Sequence, residues 1–467
     1  MICIKTAGRA VLSNRSMIAT VDLLRRYDQR VPRYTSYPTA PHFHSGVREA
    51  TYRQWLAELD PDVPLSLYVH VPFCDSLCWF CGCHTKIVNR YAPVATYLKL
   101  LLREIELVAE ALTGRRRVCH LHLGGGTPTI LAAADMEWLF AALHGAFDLD
   151  PDADIAVEID PRALTLESVD TLGRVGVNRA SLGLQDLDPR VQKAVNRVQS
   201  LAETQDIAMA LRRAGVGALN IDLMYGLPHQ TVAGVLATID AVQVLAPERV
   251  CLFGYAHVPW MKRHQRLIDE AALPGPEDRF AQYMAAAERL QQAGYVWIGL
   301  DHFARPDDAL AVALQGRRLH RNFQGYTTDE AAARLGFGPS AIGGLPQGFA
   351  QNSAAMPAYR TAVEEGRLPI QRGLALTEED RLHAAAIEQL MCYMEVDLGA
   401  LCRRFGCGPD VFRDALRGLE EPAADGLIDV DGVTVRVREH GRPFVRTICA
   451  HFDRHLAPGT QRHAHAV

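Results

Sequence analysis

The sequence lacks the features that would place the protein in a membrane or an oxidising compartment. It has no apolar run of the length that a transmembrane helix needs. Residues 1–24 include basic side chains but no continuous apolar core and no small-residue cleavage site, so we expect an irregular N-terminus and not a signal peptide. The eleven cysteines are an odd number and most are isolated, which argues against a disulfide framework and predicts a reducing, cytoplasmic compartment.

An excess of positive charge is also missing. The formal net charge is -5, which argues against a general nucleic-acid binder or a membrane-surface binder, although a local basic pocket is still allowed. The chain has 467 residues, of which 48% are hydrophobic. This is enough for a large domain and a smaller one.

What the sequence does contain is a dense group of cysteines in the stretch PFCDSLCWFCGCH, residues 72–84. Cys74, Cys78 and Cys81 have the spacing C-x3-C-x2-C, and Cys83 follows. Thiolates hold iron–sulfur clusters, and three of them would leave one iron of a four-iron cluster open. Structural zinc usually takes two paired halves separated by a longer stretch, and no second half follows nearby, so zinc is disfavoured.

The chain from about residue 65 alternates apolar runs with helical patterns. Such runs are typical of parallel strands covered by helices, and the short loops between them predict an α/β fold, a partial (βα) barrel of parallel strands. Glycines at 176, 215 and 294 are predicted to end three of the helices. The predicted strands are 65–71, 118–123, 155–160, 179–184, 219–226, 250–256 and 296–302, and the clearest helix is 91–112.

Polar residues follow most of these strands. A single one would only mark the exit from a buried strand, but a repeated pattern favours a shared pocket at the carboxyl ends of the strands. The residues are Glu158, Asp160, Gln185, Asp186, Asp222, Tyr225, His257, Asp301 and His302.

The character of the sequence changes near residue 360. Thr377 and Asp380 form a potential capping box, helices are expected near 397–405 and 409–419, and a hairpin is expected at Asp431-Gly432. This predicts a smaller C-terminal helical, winged-helix-like domain that packs on the barrel or caps it. DNA binding is disfavoured because no basic helix precedes the wing. The predicted division is an N-terminal arm (1–50), a barrel domain (51–360) and the C-terminal domain (361–467). The arm could fold over the mouth of the barrel as a lid or pack along its outside.

The motifs together resemble a known family. C-x3-C-x2-C with an aromatic residue before the last cysteine is typical of radical S-adenosylmethionine enzymes. The stretches YVHVPFC, CGCH, LHLGGGTPT, VEIDPR, SLGLQD, NIDLMYGLP and LHRNFQGYTT are similar to those of the oxygen-independent coproporphyrinogen III oxidases. The resemblance runs from about residue 34 into the C-terminal region.

The resemblance implies a chemistry. Cys74, Cys78 and Cys81 would hold a [4Fe-4S] cluster whose open iron binds S-adenosyl-L-methionine, giving a 5'-deoxyadenosyl radical. This radical would convert two propionates of coproporphyrinogen III to vinyl groups, yielding protoporphyrinogen IX in haem biosynthesis. The family also implies a flavodoxin or ferredoxin as electron donor. We expect a monomer that binds neither nucleic acid nor membrane.

The resemblance also assigns residues to the cofactor. A carboxylate such as Glu158 or Asp222 can hold an ammonium group or ribose hydroxyls, and Arg197 can hold a carboxylate, although each could equally form a local ion pair. The glycines of GGGTPT would let the backbone approach the ligand, and no lysine follows as in a Walker loop. The matched positions are Tyr68, Phe80, Gly125, Gly126, Thr127, Glu158, Gln185, Arg197, Asp222, Ala256 and Ile342.

The substrate and Cys83 complete the predictions. Four substrate carboxylates require cations, for which Arg33, Arg305, His320 and Arg321 are candidates, each of which could instead be a solvated surface charge. Cys83 is expected in the active site as a catalytic residue and off the cluster. It also disfavours the alternative of a haem chaperone, whose cluster loop usually lacks this cysteine. Another tetrapyrrole-acting radical enzyme is the remaining alternative.

Overall fold

The computed structural model describes residues 22–456 and His465. The irregular N-terminus predicted for residues 1–24 therefore lies, up to residue 21, outside the described residues. The α-helices are α1 (22–27), α2 (Glu49–Ala57), α3 (Ala92–Ala111), α4 (Ala133–Ala146), α5 (Leu166–Arg174), α6 (Pro189–Ala194), α7 (Leu201–Arg213), α8 (Val232–Val242), α9 (Pro276–Gln292), α10 (Ala309–Gln315), α11 (Met356–Glu364), α12 (Glu378–Tyr393), α13 (Leu398–Phe405), α14 (Arg413–Gly418), α15 (Glu420–Ala424) and α16 (Val445–Ala450). None of them has both the length and the apolar composition that crossing a bilayer requires.

Most of the strands belong to a single large sheet. Short 3₁₀ turns, including Arg263–Leu267, join several of the elements. The strands are β1 (Leu65–Val71), β2 (Phe73–Cys74), β3 (Lys86–Ile87), β4 (Arg117–Gly125), β5 (Asp148–Ile159), β6 (Arg179–Gln185), β7 (Ala218–Tyr225), β8 (Arg249–Gly254), β9 (Val296–Ile298), β10 (His302–Ala304), β11 (His320–Asn322), β12 (Gly325–Thr327), β13 (Ala333–Phe337), β14 (Ile342–Leu345), β15 (Gly348–Asn352), β16 (Ile370–Ala375), β17 (Glu395–Asp397), β18 (Ile428–Asp431) and β19 (Thr434–Val437).

The large sheet has twelve strands in the order β16-β15-β14-β13-β1-β4-β5-β6-β7-β8-β10-β9. The strands from β13 to β8 in this order pair in parallel. Side chains from β1 and from β4 to β8 line one cavity of about 320 Å³, which we call the barrel lumen. Because alternate residues of a strand face opposite sides, a cavity shared by six neighbouring strands means that the sheet curves around it. The predicted partial barrel is confirmed.

Six of the predicted strands are present, and the prediction for 296–302 is wrong. That run forms two short strands, β9 and β10, which pair antiparallel with each other and with β8. The chain reverses at Gly299, whose φ is +52°, a conformation that favours glycine. The sequence analysis also missed β13, which pairs in parallel with β1 and so adds a strand on the other side of the barrel.

The helices cover the sheet as their apolar patterns predict. In α3 the stripe that includes Val94, Leu98, Leu101 and Ile105 is buried. The three predicted helix-ending glycines, at 176, 215 and 294, all have positive φ, and a strand follows each of them within four residues.

The C-terminal region has a core of its own. The capping box of Thr377 and Asp380 begins α12, and the hairpin at Asp431-Gly432 joins β18 to β19, which also pairs with β17. Apolar residues of α12, α13 and α16 form one cluster, separate from the barrel core. The boundary predicted at residue 360 lies inside α11, and β16 beyond it still pairs with β15, so we propose a boundary near residue 376.

The N-terminal arm packs against this C-terminal core. Leu24, Tyr27, Val31, Tyr34 and Tyr37 all belong to the same apolar cluster as α12 and α16. Farther along, Phe43 stacks on Phe349 of the large sheet, with ring centroids 5.6 Å apart. The arm therefore connects the two domains along its length, and its function as a lid stays a prediction.

A buried carboxylate on α3 binds the turn after β13, the end of β15 and α11. Glu104 is only 1% exposed and accepts hydrogen bonds from the N–H of Gly338 (2.7 Å), Asn352 Nδ2 (2.6 Å) and the Tyr359 hydroxyl (2.6 Å). Burial raises the pKa of Glu104 to about 7 despite these bonds.

This shift predicts a pH-dependent stability. Between about pH 4.5 and 7 the folded chain retains a proton on Glu104 that the unfolded chain releases, so the contribution of Glu104 to stability is present at low pH and is lost as the pH rises through 7, by at most about 1.4 kcal/mol per pH unit. Glu104→Gln should lack this dependence. Urea unfolding midpoints of both proteins at pH 5 and pH 7.5 test it, and equal pH slopes for the two would contradict the assignment.

Candidate active site

The predicted site residues meet at the carboxyl ends of the parallel strands. A cavity of about 170 Å³, here called the cluster cavity, lies between the cysteine loop and the ends of β4 to β7. Twelve of the fifteen predicted site residues line it: Cys74, Cys78, Cys81, Cys83, Phe80, Gly125, Gly126, Thr127, Glu158, Gln185, Arg197 and Asp222.

The cysteine loop begins directly after β1 and is closed at its base by the pairing of β2 with β3. Cys74 Sγ lies 3.1 Å from Thr85 Oγ1 and accepts from Thr127 Oγ1 at 3.5 Å. Cys78 is buried, and its Sγ accepts from Arg162 Nη2 and Arg197 Nη1, both at 3.3 Å. Two guanidinium groups therefore lie against one sulfur, where they would compensate the charge of a cysteine that binds a metal.

The spacing of the loop sulfurs does not suit a single ion. Four thiolates around one zinc, at about 2.3 Å each, would bring the sulfurs to within about 3.8 Å of one another. Among the residues that the structure describes, the only trio with ligand atoms all within 4.8 Å is Cys119, His120 and Asp329, none of which belongs to the loop. The described cysteines of the loop are therefore not gathered closely enough to hold a single zinc ion.

Cys81 and Cys83 differ in their surroundings. The Cys83 N–H donates to Cys81 Sγ at 3.4 Å, and a hydrogen bond from the Cys83 thiol lowers the pKa of Cys81 while it raises that of Cys83. Cys83 is exposed, and it lines two cavities, the cluster cavity and the barrel lumen. The pair therefore divides into a thiolate at Cys81 and a thiol at Cys83.

Side chains that sequence reasoning missed hold the backbone of this loop. Lys262 Nζ donates to the Cys83 carbonyl (2.8 Å), His264 Nε2 lies 2.8 Å from the Cys81 carbonyl, and Gln265 Nε2 donates to the Phe80 carbonyl (3.0 Å). On the other side, Asn196 Nδ2 donates to the Leu77 carbonyl (2.7 Å). Of these four residues, only Asn196 adjoins a predicted site residue in the sequence, since it directly precedes Arg197.

Glycines form the floor of the cluster cavity. Gly125 has a φ of +112°, and a Cβ there would lie 2.7 Å from the His70 ring. A Cβ on Gly126 would collide with the Phe73 carbonyl, directly before Cys74. The glycines of GGGTPT therefore allow the end of β4 to lie against the cysteine loop, where the Gly126 N–H donates to the Val71 carbonyl at 2.8 Å.

Two carboxylates that face the cavity, Glu158 and Asp222, differ in how readily they ionise. Glu158 Oε2 accepts from the Gly125 N–H (3.1 Å), and Glu158 Oε1 lies 3.2 Å from His122 Nε2. Burial opposes ionisation, but the contact with His122 outweighs it and lowers the pKa of Glu158. Burial raises the pKa of Asp222, which accepts from Ser181 Oγ at 2.9 Å. Glu158 is thus the better partner for a cationic group.

Arg197 is fixed by several acceptors. It contacts Asp160 Oδ2 (3.1 Å) and donates to the Gly183 carbonyl (2.5 Å) as well as to Cys78. Asp160 also pairs with Arg162 at 2.6 Å, so the predicted Asp160 acts beneath the cavity as the anchor of both guanidinium groups. Gln185 lies beside them at a register shift in β6, with a φ of +71°, a strained conformation of the kind found at functional sites.

Three predicted residues lie outside the cluster cavity. Tyr68 is next to it, with its hydroxyl 3.0 Å from His70 Nδ1. Ala256 lines a different cavity, although Gln265 Nε2 bonds its carbonyl (3.2 Å) as well as that of Phe80. Ile342 begins β14 and contacts Gly336, which pairs with Tyr68 in the sheet.

The substrate candidates also separate. Arg33 and Arg321 line one cavity, described below. Arg305 Nε instead donates to the Pro247 carbonyl (3.1 Å), at the opposite end of the barrel. His320 Nδ1 lies 3.1 Å from Glu388 Oε1 on α12.

A parallel partial barrel with three cysteines and a glycine floor at its carboxyl end defines a class of protein, the radical SAM enzymes, and residues 68–242 match the model of the Radical SAM superfamily. An oxygen-independent coproporphyrinogen III oxidase from Bradyrhizobium diazoefficiens is 50% identical over 94% of this chain and 98% of its own length. A solved coproporphyrinogen III oxidase from Escherichia coli is 40% identical, with a TM-score of 0.87 over 92% of this chain and 100% of its own. The chain belongs to the oxygen-independent coproporphyrinogen III oxidase family.

Proposed function

We propose that this chain oxidatively decarboxylates two propionates of coproporphyrinogen III to vinyl groups without oxygen, giving protoporphyrinogen IX in haem biosynthesis. The observation that carries the proposal is the cluster cavity, in which three cysteines, the glycine floor and Glu158 face one another. Similarity to oxygen-independent coproporphyrinogen III oxidases over most of the chain supports this reaction.

The cofactors are a [4Fe-4S] cluster and S-adenosylmethionine, which together supply a carbon radical that abstracts hydrogen from the substrate. Cys74, Cys78 and Cys81 are the ligands of the cluster in this proposal. The donor set fits because Arg162 and Arg197 compensate the charge of the Cys78 thiolate. Cys83 stays off the cluster as a thiol.

The remaining cavity residues bind and orient S-adenosylmethionine. The ionised Glu158 takes a cationic or hydroxyl group, and Asp222 accepts from a hydroxyl. Arg197 lines the cavity next to the cysteines and faces the carboxylate end of the cofactor. Tyr68, Ala256 and Ile342 belong to the same proposal at its periphery.

Three further properties complete the proposal. A flavodoxin or ferredoxin supplies electrons, because the reaction needs one-electron reduction and the described residues contain one cysteine loop only. The protein acts as a monomer. It acts in the cytoplasm, a reducing compartment with which the ten described cysteines, all free, are consistent.

The test is anaerobic turnover. Reconstituted protein with a reductant and S-adenosylmethionine should convert coproporphyrinogen III to protoporphyrinogen IX and release 5'-deoxyadenosine. Tight haem binding with neither product would favour a haem chaperone. 5'-Deoxyadenosine formed only with a different tetrapyrrole would favour a relative with another substrate.

A further inference from the structure

A second cavity lies between the barrel, the arm and the C-terminal domain. It has a volume of about 350 Å³ and begins at the carboxyl ends of β7 and β8. Its walls contain two aspartates, Asp28 and Asp301, against five arginines: Arg30, Arg33, Arg279, Arg321 and Arg446. In a chain of net charge -5 this is a local excess of positive charge, and we call it the arginine cavity.

Arg321 is the best-defined group in this cavity. Its side chain is 4% exposed, stacks over the Tyr326 ring at 4.4 Å and donates from Nε to the Tyr34 carbonyl at 3.2 Å. Its Nη1 has no hydrogen-bond acceptor among the described residues, and the carboxylate oxygen nearest to it, Asp301 Oδ1, is 3.9 Å away. A buried guanidinium donor in this state can take a further acceptor, and among the described residues none lies within hydrogen-bond distance of Arg321 Nη1.

Two neighbouring arginines bond the backbone that surrounds the cavity. Arg446 donates to the carbonyls of Pro32 (3.0 Å) and Val31, and Arg33 Nη2 donates to that of Gly254 (3.2 Å). Burial and the adjacent Arg33 lower the pKa of Arg446 to about 9. Burial opposes the ionisation of Asp301, yet His302 and Arg321 lower its pKa.

The cavity suits a flat or saucer-shaped ring that bears carboxylates. Tyr225, Tyr255 and Tyr283 contribute aromatic surface to its walls. Phe253 lines both this cavity and the barrel lumen, and the lumen in turn shares Cys83 and Glu158 with the cluster cavity. One large ring-shaped molecule could therefore place one of its side chains in the cluster cavity while its other side chains stay among the arginines.

We propose that the arginine cavity binds the propionate carboxylates of the tetrapyrrole that are not reacting, with Arg33 and Arg321 as their partners. This inference rests on the proposed function, since it names the place of that substrate. Arg33 is exposed at the mouth and Arg321 is buried in the wall, so the two would meet a carboxylate from different sides. His465 also contacts the cavity through Arg30 (3.3 Å) and marks its rim.

The competing interpretation is that the arginines only fasten the arm, because several of their bonds go to the carbonyls of residues 31–34. That interpretation predicts that charge at Arg33 has no influence on ligand binding. The two interpretations therefore separate in a binding measurement.

The experiment titrates the full-length protein, carrying its cluster but without S-adenosylmethionine or reductant, into coproporphyrin III, the stable oxidised tetracarboxylate, and follows porphyrin fluorescence. Mesoporphyrin IX, which has two carboxylates, is the comparison ligand. We expect Arg33→Gln to weaken coproporphyrin III binding by roughly tenfold, as loss of one hydrogen bond to a charged group requires, and Arg33→Lys to restore much of it. Mesoporphyrin binding should change less.

Arg403→Gln is the matched control, because Arg403 is an exposed arginine on α13 outside all three cavities. It should bind both porphyrins like the wild type. Wild-type binding in Arg33→Gln, or no preference of the wild type for coproporphyrin III, would overturn the inference. If Arg321→Gln folds, it should also bind coproporphyrin III more weakly than the wild type. If it does not fold, the result for Arg33→Gln decides, because Arg33 is exposed. Porphyrin binding without any turnover would contradict the proposed function and leave the cavity assignment standing.

Discussion

Cys78→Ala should yield a folded protein without an iron–sulfur cluster and without measurable turnover. The visible absorbance of the cluster should be absent after anaerobic reconstitution, because two thiolates cannot hold a four-iron centre in this loop. Cys78 is the most buried of the four loop cysteines, and its sulfur is the shared acceptor of Arg162 and Arg197. The substitution thus removes a ligand and also leaves two guanidinium groups without their sulfur partner.

Cys74→Ala and Cys81→Ala should give the same result, since each removes one of the three proposed ligands. Cys407→Ser is the control, as this cysteine lies in the C-terminal domain at the end of α13 and should leave the absorbance and the turnover unchanged. Iron content and absorbance should be measured on all four proteins prepared together. A full cluster in any of the three alanine variants would show that the ligands have been assigned wrongly.

Cys83→Ser should keep its cluster and lose activity by about a hundredfold, the range in which a positioned proton donor contributes. The thiol lines both the cluster cavity and the lumen, so it lies where substrate and cofactor would meet. Serine retains a donor toward Cys81 but is a far weaker acid and hydrogen-atom donor than a thiol. Turnover of coproporphyrinogen III, measured beside 5'-deoxyadenosine release, reports the loss.

Cluster absorbance decides how this second result is interpreted. An intact cluster with slow turnover supports a role of Cys83 in the chemistry, whereas loss of the cluster would place Cys83 among the ligands. Cys119→Ser, at the opposite end of β4, should retain both properties and controls for a general effect of replacing a barrel cysteine.

Much of the barrel could be predicted because its strands are continuous apolar runs that end in glycine, aspartate or glutamate. The run at 296–302 is equally apolar, and only the backbone at Gly299 shows that it turns back. The strand β13 was missed because Gly336 interrupts a short run, and its partner β1 is some 270 residues away in the sequence.

The cysteine loop and the carboxylates of the cluster cavity could be singled out in the sequence because residue type and spacing indicate their chemistry. Lys262, His264 and Gln265 could not, since they act on backbone carbonyls of the cysteine loop and any polar side chain in a loop gives the same signal. The role of Asp160 beneath Arg162 and Arg197 likewise depends on geometry. Contacts of this kind become visible only when distant segments are seen side by side.

The hydrogen bonds of Lys262, His264 and Gln265 to the cysteine loop have a consequence for the order in which the site forms during synthesis. The contacts to Phe80, Cys81 and Cys83 come from side chains 179 to 185 positions later in the chain. A nascent chain that has emerged only through the cysteines, or even through β7, does not yet have the residues that shape the loop. The full set of contacts that holds the cysteine loop is therefore available only after residue 265 has been synthesised.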